Sequence, residues 1–326
     1  MPSDKKYVVG VDIGGQTTKS GIVDARGNVL VQNVIRTDTH DDVNLFVKDL
    51  GDAIRSLAGQ VEGGMGAIRG VGIGGPGANY YRGTIEHAAN LKWKGIVPMA
   101  ELVSAEIGLP VALTNDANAA AVGEMAYGAA RGLKDFIVIT LGTGVGSGIV
   151  IGGNVVYGHD GFAGELGHTT LVRDGGRPCG CGRSGCLETY TSAKGVARTA
   201  REIVETTDRP TVLREIPLDK ISSKDVAEAA AAGDAVAIEI FDFTGRMLGA
   251  ALADFVAFSS PEAIILFGGL TKSGELLRKP LVAAMDDNLL PLWKGRVKVL
   301  FSELDDSDAA ILGASALGWD RNVDGV

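Results

Sequence analysis

The sequence predicts an α/β fold in which two related halves flank a cleft. Short apolar runs alternate with amphipathic segments along the chain, which is typical of this fold class. The order strand, glycine-rich turn, strand, turn, strand occurs twice, starting near residues 7 and 135, and the word SGIV stands at the same place in both units, at residues 20–23 and 147–150. Because no low-complexity linker separates the halves, we expect them to pack closely around the cleft.

In the first half, apolar runs that end at glycine or aspartate turns are interpreted as strands. The predicted strands cover residues 7–11, 19–23, 29–34, 68–73 and 110–113. Apolar residues recur with helical spacing over residues 43–57, and an alanine-rich helix is expected over residues 117–127.

The second half repeats the opening pattern and then becomes more helical. Its predicted strands cover residues 135–141, 147–151, 155–157, 262–267 and 297–301. Its predicted helices cover residues 226–239, 241–258 and 305–319. The last helix has acidic residues in its first turn, where the helix dipole favours negative charge.

A metal site is predicted between residues 165 and 188. One histidine and all three cysteines of the chain lie there: His168, Cys179, Cys181 and Cys186. These residue types make a complete tetrahedral set for a structural Zn²⁺ ion. The alternative is three buried free thiols, but glycine, arginine, serine and proline surround the cysteines, which is loop composition. Glu165 and Glu188 flank the ligands, so the zinc loop is expected to place carboxylates in a pocket.

Composition excludes several classes of function. The net charge is −9, which argues against nucleic acid and anionic membranes as partners. No stretch is long and apolar enough to span a bilayer, and no secretory signal precedes the first strand. Cysteines in metal-like spacing without a signal indicate a reducing compartment, so we expect the cytoplasm.

The turns at residues 12–15 and 142–148 could present backbone N–H groups to phosphate oxygens. A Rossmann or Walker turn must open a helix, whereas both turns here lead into strands, and no Gly-Lys-Ser/Thr sequence is present. Dinucleotide binding and the Walker fold are therefore rejected. We predict a cradle of two β-hairpins, one from each half; two ordinary hairpin turns are the alternative.

The motifs together resemble the ROK family of sugar kinases and repressors, within the actin-like ATPase superfamily. The matching words are DIGG at 12–15, GGPG at 74–77, TNDANAA at 114–120, LGTGVGSG at 141–148, ELGH at 165–168, the cysteine segment through residue 188, and FGG at 267–269. The resemblance implies two ribonuclease-H-like domains with a hinge and a structural zinc site. It implies a small domain of residues 1–114 plus 304–326 and a large domain of residues 115–303.

By this resemblance, Asp116 is the catalytic general base on a sugar hydroxyl. From sequence alone, Asp116 could instead be a helix N-cap. Sugar contacts are implied for Gly75, Asn115, Asp116, Glu165, His168 and Glu188. The two ring nitrogens of His168 allow it to bind zinc and sugar at once.

The resemblance also implies ATP and Mg²⁺ as cofactors. Asp12 would orient Mg²⁺. The nucleotide-binding set is Asp12, Gly14, Gly15, Gln16, Thr17, Gly142, Thr143, Gly144, Gly268 and Gly269. The family usually has threonine where this chain has Gln16, so Thr17 is a second candidate for the phosphate contact.

The predicted function is ATP-dependent phosphorylation of a hexose, glucose to glucose 6-phosphate. N-acetylmannosamine and N-acetylglucosamine kinases share the same motifs and remain alternatives. A sugar-sensing regulator without catalysis is the alternative from another class. A DNA-binding repressor is disfavoured because the first strand begins near residue 7. A homodimer or homotetramer is expected from the family.

Overall fold

The computed structural model describes residues 5–304 and 308–319. The strands are β1 (Tyr7–Ile13), β2 (Thr17–Asp24), β3 (Val29–Arg36), β4 (Ile68–Gly74), β5 (Ala78–Asn79), β6 (Thr84–Glu86), β7 (Ile96–Val97), β8 (Val111–Thr114), β9 (Phe136–Leu141), β10 (Val145–Ile151), β11 (Asn154–Val155), β12 (Ala263–Phe267) and β13 (Lys298–Phe301). The α-helices are α1 (Val43–Ala58), α2 (Met99–Ile107), α3 (Asp116–Tyr127), α4 (Glu188–Thr191), α5 (Ala193–Thr206), α6 (Ser223–Ala231), α7 (Ala235–Ser259), α8 (Glu275–Asn288) and α9 (Ala309–Leu317).

The two large sheets have the same topology. Their strand orders are β3-β2-β1-β4-β8 and β11-β10-β9-β12-β13. In each sheet the central strand, β1 or β9, is antiparallel to the strand that follows it in the chain and parallel to its other neighbour, β4 or β12. The two SGIV words lie in β2 and β10, which are equivalent strands. The predicted repeat of one α/β unit is therefore confirmed.

One predicted boundary is wrong. The break between the two helices expected at 226–239 and 241–258 lies earlier, between α6 and α7. Asp234 caps α7, since its carboxylate accepts hydrogen bonds from the backbone N–H groups of Val236 and Ala237. Helices α2, α4, α5 and α8 add to the predicted set. The helix expected at 305–319 is described as α9, and residues 305–307 lie outside the described part of the chain.

Helices α3 and α9 lie between the two sheets. Helix α9 packs with Val8 and Val23 of the first sheet, and α3 packs with Phe136 and Val150 of the second. The first sheet has a separate core against α1 and α2, and the second sheet has one against α5 to α8. This arrangement brings the N-terminal ends of α3 and α9 to one cleft between the sheets. The exact domain boundaries given above stay a prediction.

None of the helices in the described residues is long and apolar enough to cross a membrane.

Candidate active site

A cleft of about 530 Å³ opens between the two sheets. Strand ends and helix starts of both halves supply its walls. The predicted site residues that line it are Asp12, Asn115, Asp116, Gly142, Thr143, Gly144, Glu165, Glu188 and Gly268. Gly74, Pro76 and Gly77 of the predicted GGPG turn also line it. Residues far apart in sequence thus meet in one cavity.

Asp116 is the first residue of α3, directly after β8. The N-cap is Asn115, whose side-chain oxygen accepts a hydrogen bond from Asn118 N at 2.7 Å. The alternative that Asp116 serves as the N-cap is therefore wrong. Asp116 Oδ1 accepts a hydrogen bond from Ala117 N at 2.9 Å, and the exposed residue lines the cleft. The carboxylate is thus held at a helix start that opens to the cleft.

The glycine at residue 148 lets α3 lie directly on β10. A Cβ at Gly148 would come within 2.6 Å of Ala121 Cβ and 2.8 Å of the Ala117 carbonyl oxygen. Any side chain would therefore push the helix off the strand. This close packing holds the start of α3 beside β10, and Asp116 and the turn at Gly142–Gly144 line the same cleft. Some glycines of this motif therefore serve helix packing and not phosphate binding.

Glu165 lies on a loop that Ser147 anchors. The Ser147 hydroxyl donates to the Gly164 carbonyl and accepts from Leu166 N at 3.2 Å. Gly167 then packs on β10, where a Cβ would lie 2.0 Å from the Val145 carbonyl oxygen. Ser147 lines the cleft, but no role for it was predicted from the sequence. The repeated SGIV segment that contains Ser147 was the sequence feature that could have indicated its importance.

Glu188 connects the second glycine turn to the cysteine loop. Its Oε2 accepts a hydrogen bond from Val145 N at 3.4 Å, and its Oε1 lies 3.1 Å from Cys179 Sγ. Glu188 Oε1 also lies 3.9 Å from His168 Nδ1. A carboxylate with these neighbours is positioned by the loop that carries the metal ligands.

The predicted ligand set fits a zinc ion. The donor atoms of His168, Cys179, Cys181 and Cys186 all lie within 4.8 Å of one another. Cys181 Sγ and Cys186 Sγ are 3.6 Å apart, and Cys179 Sγ is 3.7 Å from His168 Nδ1. Zn–S bonds of about 2.3 Å in a tetrahedron give edges of about 3.8 Å, close to these separations. The four donor atoms are therefore close enough together to share one ion.

The cleft concentrates negative charge. Burial and repulsion from Asp116 raise the pKa of Asp12 from 3.8 to about 6, and attraction to Lys19 opposes the rise. Burial raises the pKa of Asp116, although the carboxylate opens to the water of the cleft. Burial also raises the pKa of Glu165, with repulsion from Asp116 and Glu188 adding to the effect. Such a cluster favours binding of a cation and of hydroxyl donors.

Replacing Asp12 by Asn is expected to stabilise the ligand-free protein at alkaline pH. The folded-state pKa of about 6 exceeds the ordinary 3.8, so stability falls as the pH rises through about 6. The amide avoids this loss, and we expect a gain of about 1 to 3 kcal/mol above that pH. Urea unfolding of both proteins at acid and alkaline pH measures it. The exposed Asp286→Asn change is the control, and a less stable Asp12→Asn protein at alkaline pH would contradict the prediction.

Other predicted site residues lie outside the described lining of the cleft. They are Gly14, Gly15, Gln16, Thr17, Gly75, His168 and Gly269. The first turn is closed by a hydrogen bond from Gly14 N to the Thr17 carbonyl at 3.0 Å. Gln16 is exposed, and its carbonyl accepts from Thr37 N at 2.9 Å. Gly75 lies just behind the wall and donates its N–H to the Thr114 carbonyl at 3.1 Å.

Comparison with known proteins identifies the family. The ROK family model matches residues 8–321. The chain belongs to the ROK family. A glucokinase of Halalkalibacterium halodurans is 39% identical over 97% of this chain and 95% of its own length. The family that the sequence motifs predicted is thus confirmed.

Solved structures of ROK proteins share the fold over nearly the whole chain. A ROK glucokinase from Streptomyces griseus, in complex with glucose and AMPPNP, has a TM-score of 0.79 and 35% identity over 95% of this chain and 98% of its own. A ROK transcriptional regulator, a homologue of the E. coli MLC protein, has a TM-score of 0.85 and 26% identity over 96% of this chain and 77% of its own. The two-domain α/β ROK kinase fold is confirmed, and it occurs in both kinases and regulators.

Proposed function

We propose that this ROK protein transfers the γ-phosphoryl group of ATP to the 6-hydroxyl of glucose. The observation that carries the proposal is Asp116, an exposed carboxylate at the start of α3 that lines the same cleft as the turn at Gly142–Gly144. A general base must lie near both the acceptor hydroxyl and the phosphoryl donor. The similarity to glucokinases, including one solved with glucose and AMPPNP, supports glucose and ATP as the substrates.

Glucose would bind on the Asp116 side of the cleft. Glu165 and Glu188 line this part and can accept hydrogen bonds from sugar hydroxyls. Asn115 uses its oxygen as the helix cap, so its NH₂ group is available as a donor. The backbone at Gly75 would complete the pocket next to Gly74 and Pro76.

Zinc would act as a structural support for the sugar site. His168 Nδ1 faces the thiols, which leaves Nε2 available for a sugar hydroxyl. The loop that holds the ion also holds Glu188, through Cys179. Zinc would therefore fix two sugar ligands without taking part in the reaction.

ATP would bind with its phosphates between the two hairpin turns. Asp12 and the residues Gly142, Thr143 and Gly144 line the cleft where the phosphates would lie. Thr143 also borders a groove of about 610 Å³ lined by Ala197 and Ile221, which suits a nucleoside. Gly268, which lines the main cleft, and Gly269 would pack beside it. Closure of the hinge would bring Gly14, Gly15 and Gln16 or Thr17 to the phosphates. Asp12 would orient Mg²⁺, which neutralises phosphate charge when bound.

The reaction then needs one proton transfer and one phosphoryl transfer. The sugar O6–H proton moves to the Asp116 carboxylate as O6 attacks the γ-phosphorus. The bond from this phosphorus to the bridging oxygen breaks, and its electrons stay on ADP. The raised pKa of Asp116 makes it a stronger base than an ordinary aspartate. Exclusion of water by domain closure would limit ATP hydrolysis.

The direct test measures ADP release, coupled to NADH oxidation, with Mg-ATP and a panel of sugars. The panel contains glucose, mannose, fructose, allose, N-acetylglucosamine and N-acetylmannosamine. We expect the highest kcat/KM with glucose. A higher kcat/KM with an N-acetylhexosamine would show that this sugar, and not glucose, is the preferred substrate. Sugar binding without any turnover would favour a sugar-sensing regulator, a role compatible with the similarity to a ROK regulator.

The pH dependence of kcat/KM is expected to reflect the ionisation of the carboxylates that lie close together in the cleft. Asp116 must be ionised to accept a proton, and burial raises its pKa, so activity should fall on acidification at a higher pH than for an ordinary aspartate. Because Asp12 and Glu165 interact with Asp116, the apparent pKa of this acidic fall in activity is a property of the three carboxylates together. Steady-state rates from about pH 5 to about pH 9 check this. A flat profile over that range would contradict it.

A further inference from the structure

Asn79 joins the two halves of the molecule beside the sugar side of the cleft. It lies on β5 in the first half, two residues after Gly77, which lines the cleft. The residue is completely buried. Its Nδ2 donates a hydrogen bond to the Asp160 carbonyl of the second half at 2.7 Å, and its Oδ1 accepts one from Arg82 N at 3.2 Å. Both ends of the buried amide are therefore used, and one of them holds a loop of the opposite half.

The loop that Asn79 contacts, residues 157–164, leads directly to Glu165. Gly161 of this loop lies against the Asn79 amide with a φ of +91°. A Cβ at Gly161 would come within 2.6 Å of Asn79 Oδ1. Glycine is the residue that tolerates both this backbone conformation and so close an approach. The loop is therefore shaped to receive the amide from the other half.

A second contact joins the same two segments. The rings of Tyr80 and Tyr157 stack with their centroids 4.1 Å apart and an angle of 3° between their planes. Tyr80 follows Asn79 in the chain, and Tyr157 begins the 157–164 loop. At its other end the loop is held by Ser147 of β10. The segment before Glu165 is thus attached to both halves of the molecule.

We propose that Asn79 is a positioning residue for the sugar, because it fixes the loop that carries Glu165 and thereby sets the affinity for glucose. This inference rests on the proposed kinase function, in which Glu165 accepts hydrogen bonds from sugar hydroxyls. A displaced loop would leave a buried donor without a partner, so the amide defines the position of the loop more strictly than an apolar contact would. The loop contributes no residue to the predicted nucleotide-binding set, so the effect should fall on the sugar alone.

The first test replaces Asn79 by Leu, which has a similar size but neither donates nor accepts a hydrogen bond. We expect glucose affinity in calorimetry to fall by about 5- to 100-fold, the range for a buried polar group that loses its partner. The KM for glucose should rise in proportion, whereas Mg-AMPPNP affinity should change by less than about 2-fold. The control is Asn288→Leu on α8, an exposed asparagine whose Nδ2 donates to the Ala284 carbonyl, also at 2.7 Å.

The second test, Gly161→Ala, disturbs the same contact from the loop and decides the question if Asn79→Leu lowers the melting temperature. Its control is Gly233→Ala, because Gly233 has the same φ of +91° but no atom within 4 Å of an added Cβ. We expect Gly161→Ala to weaken glucose binding more than Gly233→Ala does. The double variant with Asn79→Leu should bind glucose about as well as the weaker single variant, since both changes break one contact.

Amide hydrogen exchange of residues 158–168, followed by mass spectrometry without sugar, measures the loop itself. Exchange should become faster in Asn79→Leu and Gly161→Ala and stay at the wild-type rate in both controls. Unchanged exchange, unchanged glucose affinity, or equal losses for glucose and Mg-AMPPNP would overturn the inference. A wild type that binds glucose but phosphorylates no sugar would refute the kinase function, and the exchange and binding comparisons would still decide the role of Asn79.

Discussion

Asp116→Asn is expected to lower kcat by about 10²- to 10⁴-fold, the usual contribution of a general base. The amide cannot accept the proton of the sugar hydroxyl, but it has nearly the same shape. It can still take the hydrogen bond from Ala117 N that holds Asp116 Oδ1 in the wild type. The helix start and its Asn115 cap should therefore remain in place, and glucose affinity should change little.

Two measurements separate this effect from damage to the fold. Glucose affinity is measured by calorimetry, and kcat is measured by coupled ADP release with saturating Mg-ATP. The exposed Asp286→Asn variant is the matched control, since it makes the same chemical change on α8. Turnover of Asp116→Asn near the wild-type rate would exclude Asp116 as the base. Loss of glucose binding together with kcat would assign it a binding role instead.

Loss of zinc is expected to raise the KM for glucose by about 10- to 100-fold, as for residues that orient a metal site. Without the ion, His168 loses the bond that fixes its ring, and the Cys179 loop no longer holds Glu188. The Asp116 carboxylate is held at the start of α3 through Ala117 N and not by this loop. We therefore expect a smaller change in kcat than in KM.

Cys181→Ser is the preferred variant because Cys181 is exposed, whereas Cys186 is buried and its replacement disturbs packing as well. Zinc is measured by elemental analysis of protein purified without added metal. Ser184→Ala, an exposed change in the same loop, is the control. Chelated wild type should recover its KM when zinc is returned. Zinc-free, folded protein with an unchanged KM would show that the ion does not support the sugar site.

Much of the site could be predicted because its chemistry is carried by residue type and short spacing. Three cysteines and a histidine in one loop can form one tetrahedral set whatever surrounds them, and the four donor atoms do lie together. A repeated strand–turn–strand word predicted two similar halves, since strand pairing follows local pattern. An aspartate between a strand and a helix start predicted a fixed carboxylate at Asp116.

Other features depended on contacts between distant segments. Ser147 positions the Glu165 loop through hydrogen bonds that join β10 to residues 164 and 166. Glu188 meets both Cys179 and Val145, a contact that no local pattern indicates. The wrong boundary between α6 and α7 has a similar origin, because α7 is buried on several sides and its apolar pattern runs on without a clear face.

The sequence by itself determined the ROK family, the duplicated α/β unit, the set of one histidine and three cysteines, and the residue at the head of α3. These follow from local patterns, which depend on neighbours in the chain. Only the tertiary structure decided which side chains share the cleft, that Asp12 and Lys19 face the same side of the first sheet, and that Asn115 is the cap beside Asp116. Those properties arise from register and packing, where the partner of each residue lies far along the chain and a single glycine, as at residue 148, sets the distance between elements.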